Sequence, residues 1–197
     1  LDFRKIEGHA LEVAQFLDGR LAPGRTEVRT HRFAGRSEEV PILRAPDCPV
    51  AGATTYCSVG LSSVPQMVGN RPVPVELIGA CASSVESFAE VVASCVVTRM
   101  VTGANFVYGT VIEDLRALRA ISPTLRHVAL VAPFLWDSFG GGLAKDRAGG
   151  RDIYWLMALP IADEERDFLR GNGIDALESR FEEAEIDVLD INRPPAL

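Results

Sequence analysis

The chain has 197 residues, enough for one domain with a sizeable core. Nearly half of them are apolar, which excludes a disordered chain. The formal charge of −7 lies in the final stretch: positions 161–197 hold eleven acidic and four basic side chains, whereas 1–50 and 51–160 each balance eight against eight.

An acidic face repels nucleic acid and anionic membrane, and it attracts a basic protein at long range. Direct nucleic-acid binding, which needs a cationic stripe, is excluded. No run approaches the roughly 20 uninterrupted apolar residues needed to cross a bilayer. The longest candidate, Val85–Val101, is broken by Glu86, Glu90, Ser94 and Arg99.

In chain order, Ile6, Ala10, Val13, Ala14, Leu17 and Leu21 recur at three- and four-residue intervals and predict an amphipathic helix ending near Gly19 and Pro23. The charged start, Leu1 to Lys5, leads straight into it without a signal-peptide pattern, so a cytoplasmic location is expected. Val28–Phe33 and Val40–Leu43 read as strands of a hairpin around Ala34-Gly35-Arg36-Ser37. Thr54–Gly60 is a further strand, Pro65–Pro74 a loop, and Val73–Ala82 another strand. Ser83 or Ser84 is expected to cap a long helix to about Val101, with Phe88, Val91, Val92, Cys95, Val96 and Met100 as its buried face and Gly103 closing it.

After a short extended piece at Phe106–Val111, Val128–Phe134 is an apolar strand with Ile153–Leu159 as its expected neighbour. The latter is apolar at alternate and intervening positions alike. It therefore belongs in the middle of a sheet covered on both sides. Pro160 is expected to end it, and Asp163 to cap a helix with Glu164 and Glu165 in its first turn. Gly171-Asn172-Gly173 stops that helix; a second acidic helix and a closing strand within Ile186–Pro194 follow. The reading is one α+β domain spanning residues 1–197, with a mixed, mostly antiparallel central sheet and helices packed on it.

The catalytic constellations fail in turn. Gly140-Gly141-Gly142 is followed by Leu143-Ala144-Lys145-Asp146, without the Ser or Thr of a phosphate loop, and reads as a loop tip. His9, His31 and His127 stand far apart, with no His or Cys at ligand spacing. Cys48, Cys57, Cys81 and Cys95 form no CxxC pair and read as reduced buried thiols. Gly60-Leu61-Ser62 is no nucleophile elbow, because position 64 is Val64. Glu113 and Asp114 are adjacent and point to different sides. No catalysis, cofactor or metal is expected. A thiol or hydrolytic enzyme using Cys57 or Cys81 with His127 remains the alternative of another class.

What remains is a binding surface. The run from Phe134 to Gly142 puts three aromatics on a loop between core strands. Trp136, Asp137 and Phe139 are candidate partner contacts there, unless the aromatics fold back as a lid. Tyr108 and the Met67–Asn70 loop are lesser candidates.

The stretch LPIADEERDFLRGNGIDALESRF followed by IDVLDINRP resembles the C-terminal signature of the suppressor of fused domain family. Thr54 to Ser62 resembles that family's T-x-G-L-S strand and turn, and Val75-Glu76-Leu77-Ile78 its R-x-E-L strand. The resemblance covers essentially the whole chain. In animals such proteins clamp a transcription-factor peptide between two domains; this chain is similar only to the domain-sized unit. Compact bacterial members are interpreted as immunity proteins against toxins delivered between cells, and eighteen Arg against two Lys suits a high-GC bacterial genome. The resemblance thus implies a non-enzymatic binder of a basic toxin. Glu164, Glu165, Asp167, Glu178, Glu182 and Glu183 are its candidate contacts, with complementary charge speeding association. A regulatory adaptor that adds a peptide strand to a sheet edge is the further alternative.

Overall fold

The computed structural model describes residues 7–35, 39–139, 145–148 and 150–197. Helix α1 (Gly8–Leu21) leads into a meander of β1 (Glu27–Arg32), β2 (Glu39–Pro46) and β3 (Ala53–Ser58). A 3-10 turn at Leu61–Ser63 and a small hairpin, β4 (Met67–Val68) with β5 (Arg71–Pro72), precede β6 (Val75–Ala82) and α2 (Phe88–Thr102). Then come β7 (Val111–Ile112), α3 (Arg116–Arg119), β8 (His127–Val131), β9 (Lys145–Ala148), β10 (Arg151–Ile161), α4 (Asp163–Asn172) and α5 (Ile174–Glu183). The Gly140–Gly142 loop tip and part of the first hairpin turn lie outside the described residues.

The main sheet runs β1-β2-β3-β6-β10-β8-β7, with β9 on the start of β10. β6 and β10 are parallel; the other described pairs are antiparallel. This is the expected α+β fold. Its centre is β10, whose alternation divides the core in two. Ile153, Trp155, Met157, Leu159 and Ile161 face α1, α4 and α5; Leu156 and Ala158 face α2. Phe16 of α1 stacks on Trp155 with ring centroids 6.0 Å apart. On the other face Gly79 of β6 lets α2 approach: a Cβ there would meet the Phe88 ring at 3.1 Å.

Pro160 does not end β10. It pairs with Val128 of β8, and its carbonyl points away from β8 to accept from the Arg193 guanidinium at 3.0 Å. The side that would have needed its N–H is past the last β6 pair, Met157 with Ile78, so the missing donor breaks no ladder. The serines before α2 cap nothing: Ser83 exchanges a 2.8 Å hydrogen bond with Thr54, and the N-cap position is Ser87. On α2 the buried residue beside Val96 is Arg99, donating to the Pro65 carbonyl at 2.6 Å, while Met100 is exposed.

The expected closing strand is absent among the described residues. Asp187 and Asp190 each accept the backbone amide two residues on, from Leu189 at 2.9 Å and Asn192 at 2.8 Å, which coils the chain. A buried ion pair holds this segment down. Arg193 grips Glu165 through both carboxylate oxygens at 2.6 and 2.9 Å and sits 4.8 Å over the Phe181 ring. Glu165 also accepts the amides of Ala162 and Ala196 at 2.8 and 2.9 Å. Asp163 does not cap α4; the N-cap is Ala162, and the Asp163 carboxylate accepts from His127 Nε2 at 2.9 Å.

A second buried carboxylate holds the turn after β3. Glu76 accepts from Ser62 Oγ at 2.7 Å, from the amides of Gly60 and Ser62 at 2.9 and 3.0 Å, and from Ser58 Oγ. Burial raises its pKa against these four donors.

Candidate partner-binding groove

Helix α5 brings Glu178, Phe181 and Glu182 to one face, because residues three and four apart are neighbours on a helix. The helix ends in a Schellman motif: Ile186 N donates to Phe181 O at 3.0 Å and Glu185 N to Glu182 O at 3.1 Å. The left-handed position, usually glycine, is Glu185 with φ 48°. The chain then turns back as Ile186–Leu189, tied to β6 by Ala82 N donating to Leu189 O at 3.1 Å. Phe134 and Leu135, just past β8, and Tyr108 complete the lining.

These elements enclose an open groove of about 730 Å³. Phe134, Leu135, Phe181, Ile186, Val188 and Leu189 give it an apolar lining; Glu178, Glu182, Glu185 and Asp187 give it an acidic rim. None of its described lining residues is basic. The size and the mix of apolar walls with a few polar groups are those of a binding site.

Its electrostatics centre on Glu178. Tyr108 Oη lies 2.9 Å from both Glu178 Oε2 and Asp175 Oδ1, yet a phenol has one proton to donate. Glu178 Oε1 is buried without a hydrogen-bond partner among the described residues. Burial raises the Glu178 pKa, the charges of Asp175 and Glu182 add to the rise, and the Tyr108 hydrogen bond opposes it.

Of the acidic residues singled out from sequence, Glu178 and Glu182 line the groove. Glu164 and Asp167 are exposed on α4, with Asp167 paired to Arg166 at 2.8 Å; Glu183 pairs with Arg180 at 2.7 Å. Glu165 is fully buried against Arg193 and offers no surface. Trp136 and Phe139 are also in the core, which is the lid arrangement. Trp136 Nε1 donates to Thr55 Oγ1 at 3.0 Å, and Phe139 packs edge-on to Trp155 at 5.2 Å. They are three residues apart around a 3-10 turn, where i and i+3 point the same way, here inward. Asp137 is exposed on that turn. The aromatic left outside is Phe134, 47% exposed and off that register. Tyr108 does reach the groove, whereas Met67 and Val68 stand exposed on their own hairpin and do not line it.

The proposed Cys–His pairings do not assemble. Cys57 on β3 and His127 on β8 are separated by β6 and β10, about 14 Å at the usual strand spacing. Cys81 on β6 has β10 between it and β8. Burial pushes the Cys57 thiol well above its ordinary value and Cys81 up to about 11. His127 Nδ1 accepts the Asp114 amide at 3.0 Å, so Nε2 carries the proton given to Asp163. Among the described residues all four cysteines are free and buried, no group of His, Cys, Asp and Glu could hold a metal, and no helix is long and apolar enough to cross a membrane.

Comparison with known proteins places this architecture. Immunity protein YqcF of Bacillus subtilis (strain 168) is 27% identical over 172 residues, covering 86% of this chain and 88% of that protein. The solved suppressor of fused homologue of Neisseria gonorrhoeae FA 1090 superposes with a TM-score of 0.64 at 20% identity, over 96% of this chain and 95% of that one. Drosophila Suppressor of Fused aligns with a TM-score of 0.57 at 13% identity, over 81% of this chain but 43% of the longer fly chain. Residues 36–194 match the family described as suppressor of fused protein (SUFU), and the chain belongs to that family.

Proposed function

We propose that this protein is an immunity protein, a non-catalytic binder that neutralises a cognate toxin by covering a basic surface on it. The likeness to immunity protein YqcF carries this reading, because it runs through most of both chains. The acid-rimmed groove supports it: an apolar floor supplies contact area, and the acidic rim steers a cationic partner. The test is co-expression with toxins encoded beside the gene. Restored growth, together with a complex that weakens at high salt and on Glu182→Lys/Glu183→Lys substitution, is the expected result. Failure to restore growth against every such toxin refutes the immunity reading.

The edge strand β1 favours a second reading. It ends the sheet order with six residues whose outer backbone groups have no strand partner among the described residues, a template for an added peptide strand. A complex insensitive to salt, with peptide amides protected along Glu27–Arg32, would select this reading.

A further inference from the structure

The buried acids elsewhere in the molecule show what the groove lacks. Glu165 has Arg193 and two amides, and Glu76 has four donors. Among the described residues Glu178 has only a shared phenol proton, and its buried Oε1 has no donor. A buried acceptor without a donor is destabilising, the more so when it carries charge. The groove therefore sets a carboxylate with one shared donor against apolar walls, with Glu182 and Glu185 adding charge of the same sign.

We infer that the groove receives a single arginine or lysine side chain of the partner, its cationic head at Glu178 and its methylene stem along Phe134 and Leu135. Long cationic side chains suit such a place, since their stems cover apolar surface while the head meets the charge. Arginine is favoured, because its several N–H groups can serve Glu178 and the Glu182 rim together. This deepens the immunity reading by naming the key residue of the toxin, and it rests on that reading only for the identity of the partner.

The probe is N-acetyl-leucyl-arginine amide, titrated into the full isotope-labelled chain and followed by amide shifts. N-acetyl-leucyl-glutamine amide serves as the neutral comparison. Shifts clustered at Phe134, Glu178, Glu182 and Val188 with the arginine peptide are expected. Glu178→Gln should weaken binding about tenfold, as a lost charge-assisted bond does, and Glu90→Gln, exposed on α2 across the sheet, should not. Equal binding of the glutamine peptide, shifts elsewhere, or none up to about 10 mM peptide, where binding still stronger than a few kcal/mol would register, would each overturn the inference. Unchanged toxin protection in Glu178→Gln beside a failed titration would retire the groove and leave immunity standing. A successful titration without growth rescue would do the reverse.

Discussion

Arg193→Met removes one side of the buried ion pair that fastens the end of the chain. Methionine keeps much of the apolar bulk beside Phe181 but leaves Glu165, which has no solvent exposure, without its two guanidinium bonds of 2.6 and 2.9 Å. Breaking a buried pair from one side costs about 3–5 kcal/mol. Two amides, from Ala162 and Ala196, still serve Glu165, so the expected loss is near the lower end, about 3 kcal/mol. Urea unfolding reads it through the buried Trp136 and Trp155. With a slope of about 2 kcal/mol per molar urea, the midpoint should fall by about 1.5 M. Glu165→Gln/Arg193→Met removes the stranded charge as well, and it should unfold later than Arg193→Met alone. A single variant within about 1 kcal/mol of the parent, or a double variant showing simple additivity, would refute the reasoning.

Trp136→Phe gives up the hydrogen bond to Thr55 and should cost about 1–2 kcal/mol in stability while leaving partner affinity unchanged. Phe134→Ser should do the opposite, weakening partner binding with stability within about 0.5 kcal/mol, as surface changes usually do. Isothermal titration and urea melts on both variants check the pair. Gly79→Ala drives a methyl against the Phe88 ring and toward the Ala158 carbonyl at 3.3 Å; a loss of about 1–3 kcal/mol is expected in thermal melts. Aromatic disulfide reagents at pH 8 should find no reactive thiol in the native protein and four after denaturation, because all four are buried and burial raises the pKa of Cys57, Cys81 and Cys95. Prompt release from the native protein would show that one of them is accessible.

The strands were largely legible from local pattern. Residues 153–159 announce a doubly buried strand by being apolar at every position, and the structure seats them between β6 and β8. The misreadings have long-range or competing causes. Glu165 looks like a helix-dipole acid in the first turn of α4; its burial depends on Arg193, which lies 28 residues away. The apolar-polar alternation near Val188 resembles a strand, but the two aspartates there bond their own backbone first. The groove joins α5, the β8 exit, the segment after α5 and Tyr108, so no sequence window contains it. Its acids were visible as charge; its walls were not.

The position of β10 between β6 and β8 also bears on how the protein is made. Residues 83–150 must be synthesised after β6 before β10 exists. At about 5–20 residues per second, that interval lasts roughly 3–14 s. Any sheet built by the first 82 residues ends during that time on β6, an apolar strand that the finished fold pairs on both sides. An open edge of this kind invites pairing with other chains. The nascent protein is therefore most exposed to aggregation at Val75–Ala82, and a split or truncated version would need to keep β10 with β6 to cover that edge.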